Sequence, residues 1–404
     1  MLRIEEARQR LLGGIAPITE TERIAVPDAL GRILAEDVSA PVDLPPFDNS
    51  AMDGYAVNTQ DPVWRGAPPF ALQVIGTSFA GRPWHGKLTR GAVRIFTGAA
   101  IPNGADTVIA QEDAEHTDTH VVFNKTPSPN RHMRPVGDDV KKGSQIFARS
   151  DQLRAFELGW AAACGIETLS VFTRPKIGVF ATGDELRAPG TALAYGQIFE
   201  SNRLMLRSVS ANLPAHVRDL GILSDDRAQL HAALGRAAQQ HDMLITSGGV
   251  SVGESDYVRN VVETLGSIEF WRVAIKPGKP FASGRIGNCL FMGLPGNPAS
   301  AVVTFLLFVA PAIRTLAGGH APAPIEVDAM LDVAIEPSAT RTDFQRGRYS
   351  QQRDGLHVAP TGSQGSNRIG SFRDANCLIK LEPGVNVRAS GERVSILPFA
   401  GLLG

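Results

Sequence analysis

Thr246-Ser247-Gly248-Gly249-Val250-Ser251-Val252-Gly253-Glu254-Ser255-Asp256-Tyr257 is the stretch on which the reading of this chain turns. The apolar run Met243-Leu244-Ile245 before it predicts a buried strand. After it, Val258, Val261, Val262 and Leu265 recur at helical spacing, with Ser255 or Asp256 placed as the N-cap. Strand, glycine-rich loop and helix in that order offer backbone N–H groups and the positive end of a helix dipole to one anion, usually phosphate. The loop is neither a P-loop nor a dinucleotide fingerprint, because it has no Gly-Lys-Ser/Thr and no G-x-G-x-x-G spacing. It also carries Glu254 and Asp256. A carboxylate repels a neighbouring phosphate unless a cation lies between them, so the combination suggests Mg²⁺. The alternative is that Asp256 only caps the helix and the glycines only make a turn.

Working outward, strands are expected at Lys176–Ala181, Val217–Leu223, Ile268–Val273, Pro280–Ser283 and Cys289–Gly293. Helices are expected at Asn202–Asn212, Asp226–Gln239 and from Ala299. This alternation from Arg174 to about Gly318 predicts a doubly wound, mainly parallel sheet, whose ligands bind beyond the carboxyl ends of the strands. Two more loops with chemistry stand at such ends: Thr182-Gly183-Asp184-Glu185-Leu186 and Leu294-Pro295-Gly296-Asn297-Pro298.

The flanking regions have another rhythm. A short amphipathic helix is expected at Ile4–Leu12, and a second helix at Leu153–Cys164. Between them, short alternating segments from Pro68 to Phe147 predict a small β module. It is preceded by the acid-rich loop Leu44-Pro45-Pro46-Phe47-Asp48-Asn49-Ser50-Ala51-Met52-Asp53-Gly54-Tyr55-Ala56, a site candidate or an Asx-turn crossing. After the linker Pro322-Ala323-Pro324, short strands suggest a C-terminal β-barrel or sandwich. The expected units are therefore 1–44 with 141–173 (linking), 45–140 (inserted β-rich module), 174–320 (α/β) and 321–404 (C-terminal β).

With 404 residues the chain is too long for one ordinary core. Its 40 basic and 41 acidic residues give a formal charge of -1, which argues against general nucleic-acid or membrane-surface binding. Cys164, Cys289 and Cys377 lie far apart without metal spacing and read as buried reduced thiols. No signal-peptide core is present. The longest apolar run, Ala299–Ile313, falls short of the ~20 residues needed to span a bilayer. A soluble cytoplasmic enzyme is the expectation.

The strings Phe47-Asp48-Asn49-Ser50-Ala51-Met52-Asp53-Gly54-Tyr55-Ala56, Thr182-Gly183-Asp184-Glu185-Leu186, Ser247-Gly248-Gly249-Val250-Ser251-Val252-Gly253, Lys276-Pro277-Gly278-Lys279-Pro280 and Gly293-Leu294-Pro295-Gly296-Asn297-Pro298 occur together and in order. Over essentially the whole chain the sequence resembles the molybdopterin molybdenumtransferases, a family that includes the C-terminal domain of gephyrin. The resemblance implies four domains and an elongated homodimer with a shared cleft. It also implies a reaction of adenylylated molybdopterin with molybdate that yields molybdenum cofactor and AMP, assisted by Mg²⁺ or a similar ion. A molybdopterin adenylyltransferase is a partner it suggests.

Breaking a pyrophosphate bond builds charge on oxygen, which lysines, amides and cations stabilise. Ser247, Gly248, Gly249, Ser251 and Gly253 would cradle the phosphate. By the resemblance, Glu185, Asp225 and Asp256 would hold the metal; the alternative for Asp225 is a helix N-cap ahead of Arg227. Lys276 and Lys279 suit an oxyanion, and Arg272 stands where some relatives carry Lys. Pro295, Gly296 and Asn297 open a helix, with Asn297 as cap and Pro298 at the first turn, and their amides could receive an anion. The resemblance also matches Asp53, Thr97 and Asp139 to site positions, and Arg346 and Ser366 to positions that bind molybdate or pterin phosphate. The alternative for Arg346 is an ion pair with Asp343. No histidine and no covalent nucleophile is assigned. The rival to an enzyme is a dimeric scaffold that carries molybdopterin or grips a peptide.

Overall fold

The computed structural model describes residues 1–117, 119–249 and 257–403; the side chains of residues 270, 271 and 403 lie outside that description. The α/β unit forms where expected. Its six-stranded sheet runs, in spatial order, His216–Leu223, Lys176–Thr182, Met243–Ser247, Cys289–Leu294, Pro280–Ile286 and Gly266–Arg272. The first four strands are mutually parallel, and the last two add as antiparallel neighbours.

Side-chain alternation explains the double winding. Ile177, Val179, Met243 and Ile245 face one side, where they pack with Leu206, Val303 and Phe305 from the helices Asn202–Val209 and Pro298–Thr304 and the π-helical turn after it. Phe180 and Leu244 face the other side and meet Leu230, Leu234, Val258 and Val261 from Arg227–Ala238 and Tyr257–Leu265. A strand with both faces covered has no polar side to show, which is why Met243-Leu244-Ile245 reads as a continuous apolar run.

The helical stretch Pro298–Leu316 is longer than the apolar run in the sequence suggests. At 19 residues it is long and apolar enough to cross a membrane, but 89% of its most apolar 18-residue window is buried in the fold, where it serves as the central core helix.

The C-terminal unit is a closed barrel. Thr342–Gln352, Gly355–Pro360, Val327–Leu331, Arg393–Pro398 and Cys377–Leu381 pair around a ring that returns to its first strand. Closure leaves no free edge in that ring. The α/β unit reaches into it through Ile275–Lys276, which pairs in parallel with Thr342 and Asp343. The inserted module is a six-stranded sheet built from strands between Gly54 and Phe123. The linking unit pairs Thr21–Ala25 with Thr168–Phe172 and packs the helix Ala155–Ala163 over them. All three cysteines are buried free thiols.

The N-terminal helix Ile4–Gly13 packs away from the other linking segments: it buries Ala7 and Leu11 in the α/β core beside Ile313 and Leu316. Leu2 pairs with Val273, and the Ile18 N–H bonds to the Leu316 carbonyl at 2.8 Å. The periodicity showed an apolar face but could not say which core receives it. Leu11 is 4% exposed, so Leu11→Ala is expected to destabilise the α/β unit by about 2–5 kcal/mol in denaturant unfolding. A change near zero would place the helix elsewhere.

Candidate active site

The strands Lys176–Thr182, Met243–Ser247 and Cys289–Leu294 end side by side. Ala181 stands opposite Ser247, and Ser247 opposite Leu294. The three loops singled out in the sequence therefore leave the sheet together. Gly249 has φ +69, and a Cβ there would lie 2.4 Å from Val258 Cγ2 and 2.9 Å from Thr182 Oγ1, so only glycine lets the turn lie this close to strand and helix. A Cβ on Gly296 would stand 3.6 Å from Gly248 Cα, so the second and third loops touch backbone to backbone. The Gly248 N–H donates to the Leu294 carbonyl at 3.0 Å. Ser251, Gly253 and Asp256 lie outside the described residues.

Acids gather at the first loop. A Cβ on Gly183 would lie 2.5 Å from Glu185 Oε2, so the Glu185 carboxylate folds back over the bare glycine. Asp225 is half-buried, and burial first, then the charges of Asp184 and Glu185, push its carboxyl above the ordinary range; the Asp184 N–H and Thr182 hydroxyl pull the other way. The helix-cap alternative for Asp225 fails. Asp226 is the N-cap, its side chain accepting from the Gln229 N–H at 2.8 Å, so Asp225 is left for other work. A carboxylate whose charge is disfavoured beside two further acids suits a hard divalent cation chemically. Among the described residues, no group of three His, Cys, Asp or Glu side chains is drawn in to the spacing of a metal site.

The third loop opens the core helix. Pro298 stands at the first turn as expected, and Asn297 holds the N-cap position, but its side chain makes no capping bond. Pro295 is buried, whereas Gly296 and Asn297 are exposed. The Ala299 N–H is taken by the Ser366 carbonyl at 3.0 Å, which docks a barrel loop on this helix start.

The cationic residues divide. Lys276 is half-exposed, and its Nζ pairs at 3.1 Å with Asp343, whose side chain is only 3% exposed. Lys279 and Arg272 are exposed. The turn between the lysines lies against the core helix, since a Cβ on Gly278 would come within 2.5 Å of Thr304 Oγ1.

Arg346 differs from both sequence readings. It is fully buried; its Nε donates to Ser371 Oγ at 2.9 Å and its Nη2 to the Gly365 carbonyl at 3.1 Å. Burial lowers its pKa to about 10. The guanidinium is a strut of the 361–371 loop rather than an open fork, and the carboxylate of Asp343 is held by Lys276 instead. Neither fact is legible without knowing which side chains face the barrel interior.

The inserted module holds a separate pair. The Thr97 N–H and Oγ1 both donate to Asp53 Oδ1, each at 2.8 Å. The loop bearing Asp53 is pinned by Ser50 N–H to Ala99 O and by Ala51 N–H to His132 O. Thr97's backbone N–H, then its hydroxyl, then the Arg94 guanidinium hold the Asp53 carboxyl below its ordinary range. Asp139 is exposed, and its N–H bonds to the Leu44 carbonyl at 2.9 Å. Its side chain lines a cavity of about 690 Å³ with Phe147, Arg154 and Trp160, apart from the Asp53–Thr97 pair. Among the described residues, no hydrogen bond or ion pair joins Asp53, Thr97 or Asp139 to the strand ends.

Three family models match the chain: the MoeA N-terminal region (domain I and II) over residues 2–165, a probable molybdopterin binding domain over 178–315, and the MoeA C-terminal region (domain IV) over 328–399. A molybdopterin molybdenumtransferase of Haemophilus influenzae is 42% identical, covering 100% of both chains. The chain belongs to the molybdopterin molybdenumtransferase family. A second relative, molybdopterin molybdenumtransferase 2 of Mycobacterium tuberculosis, is 33% identical over 98% of this chain and 99% of its own. The crystal structure of the molybdopterin biosynthesis MoeA protein of Pyrococcus horikoshii OT3 superposes with a TM-score of 0.82 at 28% identity, covering 98% of this chain and 100% of that one. Family membership makes the chain a transferase of molybdenum cofactor biosynthesis.

The two aspartates are expected to titrate in opposite directions. Asp53 lies lower folded than unfolded, so its bonds stabilise above the unfolded value and are lost as pH falls through the folded one. Thr97→Val should move the NMR-detected Asp53 pKa part-way back up, because the backbone donor remains; no movement would remove the hydroxyl from the account. Asp225 lies higher folded than unfolded, so its charge costs stability as pH rises from the unfolded value through the folded one, and the full cost holds above that. Asp225→Asn is therefore expected to raise the thermal midpoint at neutral pH in metal-free buffer. A lower midpoint would mean that the carboxylate is held by its donors rather than repelled.

Proposed function

We propose that the chain inserts molybdate into adenylylated molybdopterin and releases AMP. The observation that carries this reading is the convergence of a glycine turn, a helix-opening loop and an acid cluster at one end of a parallel sheet, with the turn between Lys276 and Lys279 against the core helix that the loop opens. The bond that breaks joins two phosphates, so charge grows on the bridging and non-bridging oxygens. The Gly249 N–H and the Gly296–Asn297 amides receive those oxygens, the Gly248 N–H being held by Leu294. Lys276, anchored by Asp343, presents its remaining ammonium protons at a fixed point, and Lys279 and Arg272 add charge at the rim. Arg346 orients the loop that carries Ser366.

Glu185 and Asp225, with Asp256 by the sequence resemblance, would hold Mg²⁺, and when bound it would supply charge neutralisation for the departing phosphate. Asp184, exposed beside Glu185, joins the field that prepares that position. Asp53 and Thr97 stand in a different unit, and we assign them to a cleft completed by the second subunit of a homodimer, with Asp139 at its margin. We take the units as 45–140, 174–320 and 321–404 around a linking unit, and assign the supply of substrate to a molybdopterin adenylyltransferase in the cytoplasm.

Purified protein with adenylylated molybdopterin is expected to release AMP only when molybdate and a divalent ion are both present. Binding without release would make the chain a carrier and not a transferase. Lys276→Ala should lower turnover by roughly 10²–10³-fold. Because it strands a buried carboxylate, the variant is best measured in an Asp343→Asn background.

A further inference from the structure

Asn202 was not singled out by its sequence, yet it sits between two of the three site loops. It opens the helix Asn202–Val209 and is 8% exposed. Its Nδ2 donates to Ser247 Oγ at 2.7 Å and to the Gly296 carbonyl at 2.7 Å. Ser247 Oγ in turn lies 3.4 Å from the Pro295 carbonyl, to which it donates. One side-chain amide therefore ties the end of the strand that feeds the glycine turn to the loop that opens the core helix. The assignment of Nδ2 is fixed by chemistry, since the Gly296 carbonyl only accepts.

Two further observations show that this contact is not generic packing. Asn202 Oδ1 is buried and has no hydrogen-bond partner. An unpaired buried acceptor is a cost that an apolar side chain of the same size would avoid, so the amide must be there for its two donors. The residue also stands on a braced element. Glu200 accepts from the Arg203 N–H at 2.9 Å and from Arg203 Nε at 3.0 Å, and Arg203 pairs onward with Asp219 on the neighbouring strand. A rigid base of this kind is what a positioning group needs.

We propose that Asn202 is a positioning residue that sets the spacing between the Gly248–Gly249 turn and the Gly296–Asn297 amides, so that both face one phosphate of a nucleotide-linked substrate. It touches neither substrate nor metal; it acts through Ser247 and Gly296. The proposal rests on the reading of these loops as the phosphate site.

The test uses the full-length protein and AMP as the probe. Asn202→Asp keeps the shape but replaces the donor with an acceptor that faces the Gly296 carbonyl. Asn202→Ala removes both bonds. Each is expected to weaken AMP binding in calorimetry by 10-fold or more and to raise KM for adenylylated molybdopterin more than it lowers kcat. Ser247→Ala combined with Asn202→Ala should cost little more than Asn202→Ala alone, because the two act as one network. A role confined to folding would lower the melting temperature and leave the binding constant of the folded fraction unchanged; that result, or wild-type AMP affinity in both Asn202 variants, overturns the proposal. Should Asn202→Ala fold poorly, Asn202→Asp carries the measurement. If wild-type protein binds AMP but never releases it from substrate, the transferase reading falls while the positioning role is still judged by AMP affinity.

Discussion

Ser247 stands level with Ala181 on one side and Leu294 on the other, and both neighbouring strands run parallel to its own. Three loops must therefore leave the sheet at one height, and their chemistry meets without any long-range search by side chains. Antiparallel neighbours would have sent alternate loops to opposite ends. The two antiparallel strands, Pro280–Ile286 and Gly266–Arg272, lie at the far edge, beyond the strands that carry the site. The cores above and below the sheet fix that register, since a slip by one residue would exchange Ile177 and Val179 with Phe180 between the two helical layers.

The same sheet is coupled to the barrel at a seam rather than through a linker. Ile275–Lys276 extends the barrel strand that begins at Thr342, Lys276 neutralises Asp343, and the Ser366 carbonyl caps the amide of Ala299. Phe344, Leu378 and Leu397 from the barrel join the α/β core. Buried Arg346 then holds the loop that makes the capping contact. An arginine there is chosen for several donors in a fixed plane, and its lowered pKa still leaves it charged at neutral pH.

Much of this was legible because local pattern and global packing agree. The run Met243-Leu244-Ile245 could only be a strand covered on both faces, and the alternation around it gave the α/β unit with little ambiguity. Site loops were legible because glycine, proline and acids cluster at predicted strand ends. What failed was knowledge of partners. The sequence offered Asp225 as a cap ahead of Arg227, and only the Gln229 contact shows that Asp226 holds that position. Arg346 near Asp343 suggested an ion pair, but residues three apart on one strand point to opposite faces, and Asp343 found Lys276 from another unit. Asn202 carried no signal beyond its place at a helix start, because its partners lie 45 and 94 residues away.

The two aspartates then show how one residue type serves two purposes. Asp53 is exposed to solvent on one side and receives two donors from Thr97, so its charge is favoured before anything binds. Asp225 is half-buried among like charges, so its charge is disfavoured until something positive arrives. The first is a ready-made anion that can orient a donor; the second is a vacancy in the electrostatic sense, stable as a carboxylate only with a partner. Capping by Asp226 is what permits this. Had Asp225 been required at the helix end, a first-turn N–H would have held its carboxylate, and the acid cluster would have lost the member whose discomfort calls for a cation.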